Sequence, residues 1–327
     1  MPRLAPVTTT DRPASPRSMR SLRPCRFRRW WRAIRCPSTD IRNGRGAHGA
    51  APGGHRAALT PRIGRSYARR IPEGVPMALV ALHADGPIAT LTITPTDGRY
   101  DRALMEVLAD AAGRVAADES VRVLILRAEG DFGLGWSAAA LEEPEGLAVV
   151  PALGAGIEAV AGIPQPVIAA IGGRCFSAGL ELALAADIRL AADDTRYAMP
   201  DTLAGVVPRA GGTQRLPRAI GRTHALRLLL TGEEIDATEA RRIGLVSALA
   251  PRAGLDEAAR TLAEAIAQRG PVATRFAKEA VHRGIEMPLD QALRYELDLT
   301  VLLQSTADRA EGVRAFAAKR PPRFIGR

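Results

Sequence analysis

Residues 77–327 predict an α/β domain built on parallel strands and continued by a helical region. Short apolar runs of strand type alternate with segments of helical periodicity from Met77 to Ala191, the alternation that crossover-connected parallel strands produce. Two of those runs, Val121–Leu126 (apolar but for Arg122) and Val167–Ile171, read as strands buried on both faces. Beyond Gly212, apolar residues recur at helical spacing almost to the C-terminus.

The elements follow in order. Met77–Ala84 and Ile88–Thr94 read as strands joined at Asp85-Gly86-Pro87, a turn-forming triplet. In the second, Ala89, Leu91 and Ile93 alternate with Thr90, Thr92 and Thr94, giving one buried face. Asp101–Ala117 carries an apolar helical stripe of Leu104, Val107, Leu108, Ala111 and Val115. After the strand Val121–Leu126 comes a glycine-containing loop, Glu129–Ala138, and then a helix through Ile157, Val160 and Ala161. The strand Val167–Ile171 leads into a turn over Gly172–Gly179, a helix from about Gly179 to Ala186 and a strand over Asp187–Ala191. Beyond that the sequence predicts helices at 212–219, 222–230, 237–243, 255–268, 272–284, 288–305 and 308–318, with Gly232 and Gly244 at C-cap positions.

Charge separates this part from what precedes it. Residues 1–76 hold 17 arginines and no lysine against Asp11, Asp40 and Glu73, a net charge of +14; since the whole chain carries +10, residues 77–327 carry −4. The basic balance of the whole therefore says nothing about partners of the globular part. The leader is rich in Pro, Gly, Ser and Arg and lacks apolar periodicity, so it cannot offset its ordering entropy and is expected to be disordered. The expected natural start is Met77, with the leader an untranslated upstream stretch of GC-rich sequence. An Arg- and Ser-rich transit peptide is the alternative, and with it an organellar rather than a cytoplasmic location. A third reading is a basic arm: Arg26-Phe27-Arg28-Arg29-Trp30-Trp31-Arg32 mixes cations with aromatics, as contact with nucleic acid or a lipid interface requires.

Cys175 is the one cysteine beyond the leader, so no internal disulfide is expected there, and no spacing suggests zinc. No apolar run approaches bilayer-spanning length. His83, His224 and His282 lie apart without a nucleophile's context and receive no catalytic role.

The most informative stretch is Pro166–Leu216: a buried-type strand, a small-residue turn, a helix opening with Glu181, a second strand, and Asp201 on the next loop. That order can set backbone amides and two carboxylates around one reacting carbonyl. Each residue also has an ordinary role. Glu181 suits a helix N-terminus, Asp201 follows a proline as turn formers do, and Gly133, Gly135 and Gly179 permit tight turns.

Several stretches together carry a resemblance: Pro166–Gly173 (PVIAAIGG), Gly179-Leu180-Glu181-Leu182-Ala183 ending in Asp187, Gly211–Leu216 (GGTQRL), Leu230-Thr231-Gly232, Glu239-Ala240, Gly244-Leu245-Val246, and the tail Asp308, Glu311-Gly312, Ala315-Phe316, Lys319-Arg320-Pro321. In this order and spacing they resemble the crotonase superfamily, the enoyl-CoA hydratases and isomerases, over about Met77–Arg327. The resemblance implies a spiral of repeated strand–strand–helix units over 77–270 and a helical region over 271–327 used for trimer formation, giving a homotrimer or dimer of trimers. It implies an acyl-CoA thioester substrate, with CoA arriving as part of the substrate, and no metal or redox cofactor.

It also implies site residues. Gly133-Leu134-Gly135-Trp136-Ser137 matches the family's Ala-Gly-Ala-Asp loop, which makes the backbone N–H of Trp136 one donor to an enolate oxygen; the N–H of Ala178 is the second. Glu181 and Asp201 fall on the two catalytic carboxylates. Gly135, Ser137, Ala138, Ala139 and Gly179, with Phe316 and Lys319 near the C-terminus, fall on substrate and CoA contacts. The chain departs from the pattern in six places, the first being Ser137 where the family has aspartate. Asp201 replaces a glutamate, about 1.5 Å shorter in reach; Trp136 puts an aromatic beside the thioester; Ser177-Ala178-Gly179 stands for three glycines; Arg209 stands for glycine; and Arg102 stands for asparagine. The expected activity is hydration of a 2-enoyl-CoA ester. The alternatives on the same fold are isomerisation, decarboxylation or thioester hydrolysis, a scaffold that binds CoA esters without turnover, and, from another class, a nucleic-acid- or membrane-binding protein acting through residues 1–76.

Overall fold

The computed structural model describes residues 79–142 and 149–327. The leader and the expected start at Met77 lie outside the described residues. In chain order the elements are β1 Val80–Asp85, β2 Ile88–Ile93, α1 Arg102–Ala117, β3 Val123–Ala128, α2 Ala138–Glu142, α3 Val149–Ala161, β4 Val167–Ile171, β5 Arg174–Phe176, α4 Ala178–Ala185, β6 Ile188–Ala192, β7 Arg196–Ala198, α5 Gly212–Thr231, β8 Ile235–Asp236, α6 Ala237–Arg242, β9 Ala248–Ala250, α7 Leu255–Ala267, α8 Pro271–Gly284, α9 Leu289–Gln304 and α10 Ala307–Ala317.

Six strands form the main sheet in the order β1-β2-β3-β4-β6-β9. The first pair is an antiparallel hairpin turning at Gly86-Pro87, with Ala84 opposite Ala89; every later pairing is parallel. The apolar part of β3, Val123–Leu126, and the wholly apolar β4 are buried on both faces. Leu124, Leu126, Val167 and Ala169 join the core under α1, α3 and α4, whereas Val123, Ile125, Ile168 and Ala170 meet α7. Helix α7 offers Leu255 and then Ala259, Ala263 and Ala267, an i, i+4 stripe whose alanines let it lie close to the sheet. Helix α4, apolar nearly all round, is buried at every position.

The structure departs from the sequence reading at the small second sheet. Strands β5, β7 and β8 pair in that order, Cys175 with Tyr197 in parallel and Tyr197 with Ile235 antiparallel. The expected turn over 172–179 thus contains a strand. The region beyond Gly212 is not all helical, because β8 and β9 lie within it. The helices expected at 212–219 and 222–230 are one element, α5, kinked at Gly221, which takes φ 78°. Helix α4 begins one residue early, at Ala178, and β3 runs two residues further than expected at its end.

The C-terminal helices are tied back to the sheet by a partly buried cation. Lys278 Nζ lies 2.7 Å from Asp187 Oδ2 and donates to the carbonyls of Ile163 (2.7 Å) and Gln165 (2.9 Å), while His282 Nε2 lies 2.8 Å from Asp187 Oδ1. Along α9, Leu289, Leu293, Leu297 and Val301 form an exposed i, i+4 stripe. No helix among the described residues is long and apolar enough to cross a membrane.

Candidate active site

The site is assembled where the segment after β3 runs beside β5 and the start of α4. Gly133 N–H donates to Arg174 O (3.0 Å) and Phe176 N–H donates to Gly133 O (2.8 Å). A Cβ on Gly133 would sit 2.8 Å from Gly179 Cα, and one on Gly179 would meet Gly133 Cα at the same distance; side chains are excluded at both positions because backbone meets backbone. The residues just before the two candidate amides also touch, since a Cβ on Gly135 would lie 3.2 Å from Ser177 Cβ.

Around Trp136 the neighbouring amides are committed, Leu134 N–H to Gly98 O and Ser137 N–H to Tyr100 O. Around Ala178, Ser177 N–H donates to Ala198 O and Glu181 N–H to Ser177 O. Among the described residues neither Trp136 N–H nor Ala178 N–H has a backbone acceptor. Ala178 is the first residue of a helix whose N-cap, Ser177, makes no side-chain cap bond, so its amide is one of the donors a helix start leaves free. The Trp136 side chain belongs to the main core, with its indole N–H buried and unpartnered. Ser137 Oγ accepts from Ala140 N–H (3.2 Å) and so caps α2, on which Ala138 and Ala139 are exposed.

Glu181 sits in the first turn of α4 and is fully buried. Its Oε1 accepts from the N–H groups of Ala210 (2.7 Å) and Gly212 (2.8 Å), while Oε2 is buried without a partner. Burial pushes its carboxyl up to about 7; the two amides and Arg215 pull the other way, and Asp201 adds to the rise. Asp201, on the 3-10 turn Pro200–Ala204, is 6% exposed. Its Oδ1 accepts from Ser177 Oγ (2.7 Å) and its Oδ2 is buried without a partner. Burial raises this carboxyl too, against the Ser177 hydroxyl, a backbone N–H and the Arg209 cation. Two buried carboxylates thus each hold one oxygen fixed and one bare, in mutual electrostatic range. Such a pair can accept a proton at one oxygen and release one at another.

Phe316 and Lys319 lie at and just beyond the end of α10; Phe316 is 88% exposed, and no described hydrogen bond joins either to the carboxylate pair. Cys175 is fully buried and its thiol is pushed up by burial, which suits a packing residue. Among the described residues no group of three His, Cys, Asp or Glu side chains is arranged to hold a metal ion. The donors that hold Glu181 are backbone groups of the Arg209–Gly212 segment and carry no side-chain signal. The Ser177 hydroxyl is the site feature that its residue type could have disclosed.

A buried carboxylate pair beside a free helix start is an arrangement suited to moving protons. The enoyl-CoA hydratase/isomerase family model matches residues 99–327, and the chain belongs to that family. It is 38% identical over 232 residues to the mitochondrial methylglutaconyl-CoA hydratase of Rattus norvegicus, covering 68% of this chain and 74% of the relative. It is 35% identical to the 2,3-dehydroadipyl-CoA hydratase of Escherichia coli, covering 73% of this chain and 95% of the relative. Among solved structures, an enoyl-CoA hydratase from Bacillus anthracis superposes with a TM-score of 0.72 at 34% identity, over 76% of this chain and 100% of the other. The crotonase-type fold and membership in an enzyme family are therefore established for this chain.

Proposed function

We propose that the protein adds water across the double bond of a 2-enoyl-CoA thioester. The observation that carries this is the Glu181–Asp201 pair, buried together, each with one oxygen anchored and one bare. Glu181 takes a proton from water as its oxygen bonds to the β-carbon. The double-bond electrons move onto the thioester oxygen, and the amides of Trp136 and Ala178 hold that charge. Asp201 then delivers a proton to the α-carbon. The pair starts with Asp201 protonated and Glu181 ionised; the water O–H, the Asp201 O–H and the C=C π bond break, a C–O, a C–H and a Glu181 O–H bond form, and the pair still holds one proton, now on Glu181. Because the two groups interact, they titrate as a pair.

The relatives' names supply the first substrates to try, methylglutaconyl-CoA and 2,3-dehydroadipyl-CoA, beside short straight-chain esters. The exposed α9 stripe supports assembly with further copies of the chain, in which Phe316 and Lys319 would meet CoA across a boundary. The test is loss of the conjugated enoyl absorbance by the full chain. Glu181→Gln and Asp201→Asn are each expected to lower the rate by about 100-fold or more, and Asp201→Glu to lower it less. A folded protein that binds CoA esters without consuming the enoyl group refutes hydration and leaves isomerisation, decarboxylation or thioester hydrolysis.

A further inference from the structure

Ser177 is the residue at which three parts of the site meet. Its carbonyl accepts from Glu181 N–H (2.9 Å), its own N–H donates to Ala198 O (3.1 Å), and the amide that follows it is that of Ala178. Its side chain does not cap α4, although a serine at a helix N-cap normally turns its oxygen toward the first-turn amides. Instead the hydroxyl donates to Asp201 Oδ1 at 2.7 Å, across 24 residues of sequence, with both side chains buried. The backbone is held at φ 46°, ψ −115°, a conformation that favours glycine. A serine kept in a glycine's conformation and turned away from its ordinary capping bond is an outlier whose compensation should lie in what the hydroxyl does.

We propose that Ser177 is a positioning residue that fixes Asp201 and assigns its transferable proton to Oδ2. A carboxyl oxygen that already accepts a hydroxyl proton is a poor place for its own; any proton on Asp201 is therefore carried by Oδ2, the bare oxygen. The bond also holds one rotamer of a side chain shorter than glutamate, and a displacement of about 1 Å can cost about a hundredfold in rate. The charged groups facing Asp201 besides Ser177 are Glu181 from α4 and Arg209 from the segment leading into α5, and neither is altered by changing Ser177.

This inference rests on the hydratase reading for its kinetic consequence but not for its electrostatic one, and the experiment separates them. Ser177→Gly removes the hydroxyl and relieves the backbone; Ser177→Ala removes the hydroxyl alone. Both should lower kcat by about 10- to 100-fold with KM little changed. Both should also move the limbs of the pH–rate profile to higher pH, because the ionised Asp201 has lost a donor. In an Asp201→Asn background the same changes should have almost no further effect. Independently of turnover, urea denaturation between pH 4 and 8 should give a stability difference between Ser177→Gly and the unaltered chain that varies with pH, and a flat one in the Asp201→Asn background. Retention of kcat within twofold with unmoved limbs, or a pH-independent stability difference, overturns the proposal. If the unaltered chain hydrates no enoyl-CoA, the hydratase reading falls and the denaturation series alone decides the role of Ser177.

Discussion

Replacing Glu181 by glutamine should make the protein more stable at alkaline pH while removing its activity. A carboxyl raised from 4.5 in the unfolded chain to about 7 in the fold binds its proton more tightly when folded. The folded state is therefore favoured by this group below pH 4.5, and that contribution is lost as pH rises through 7. The shift corresponds to about 3 kcal/mol, the cost of carrying a buried carboxylate with a bare oxygen at pH 8 and above. Glutamine keeps the shape and the acceptor. Its Oε1 can still take the N–H groups of Ala210 and Gly212, and its NH2 stands where the protonated carboxyl has its O–H. The variant should thus match the unaltered protein at pH 5 and exceed it by up to about 3 kcal/mol at pH 8.5, about 6 to 12 °C in midpoint for a domain of this size. Equilibrium urea denaturation of both proteins at the two pH values measures it. A stability difference that is the same at both, or a variant weaker at pH 8.5, would refute the claim that Glu181 is held in the fold at a cost to its charged form.

Two further outcomes test the scaffold. Gly179→Ala would drive a Cβ to 2.8 Å from Gly133 Cα, where the obstacle is backbone and cannot swing aside; it should cost about 1–3 kcal/mol and lower turnover by separating the two amide-bearing segments, read by denaturation midpoint and rate together. Lys278→Met leaves Asp187 with only His282 beside it and two carbonyls without a donor, so the urea midpoint should fall by the equivalent of about 1–3 kcal/mol; no measurable change would show that the cation is dispensable.

What the sequence disclosed and what it hid divide along physical lines. The alternation of Ala89, Leu91 and Ile93 with threonines, the continuous β3 and β4 runs and the apolar stripe of α1 are signals of burial periodicity, and burial is what these elements do. Strands β5, β7 and β8 span three, three and two residues, too short for any period to register; they are held by pairing with one another. Gly221 reads as a helix end because it takes a left-handed φ, yet the contacts of Leu216, Ile220, Ala225 and Leu228 with the core carry α5 through it. At the site, Glu181 and Asp201 were visible because a carboxyl is a distinctive side chain at these positions. The amides of Ala210 and Gly212 were not, since any residue but proline supplies an N–H.

The departures from the family pattern gain a common sense from this geometry. An aspartate in place of a glutamate leaves a gap of about one methylene, and a serine in place of a glycine puts a hydroxyl 2.7 Å from that aspartate's oxygen. Each substitution alone breaks a local rule: Asp201 is short, and Ser177 occupies a glycine's backbone conformation. Together they form one buried hydrogen bond that orients the carboxyl. Local rules are broken in natural proteins where function compensates for them, and here the broken rules fall on residues in direct contact. The free amide of Ala178, the bare Oε2 of Glu181 and the bare Oδ2 of Asp201 gather at the same helix start. Buried polar groups are ordinarily paired, and three with no protein partner beside one helix start agree with the reading that this is the active site.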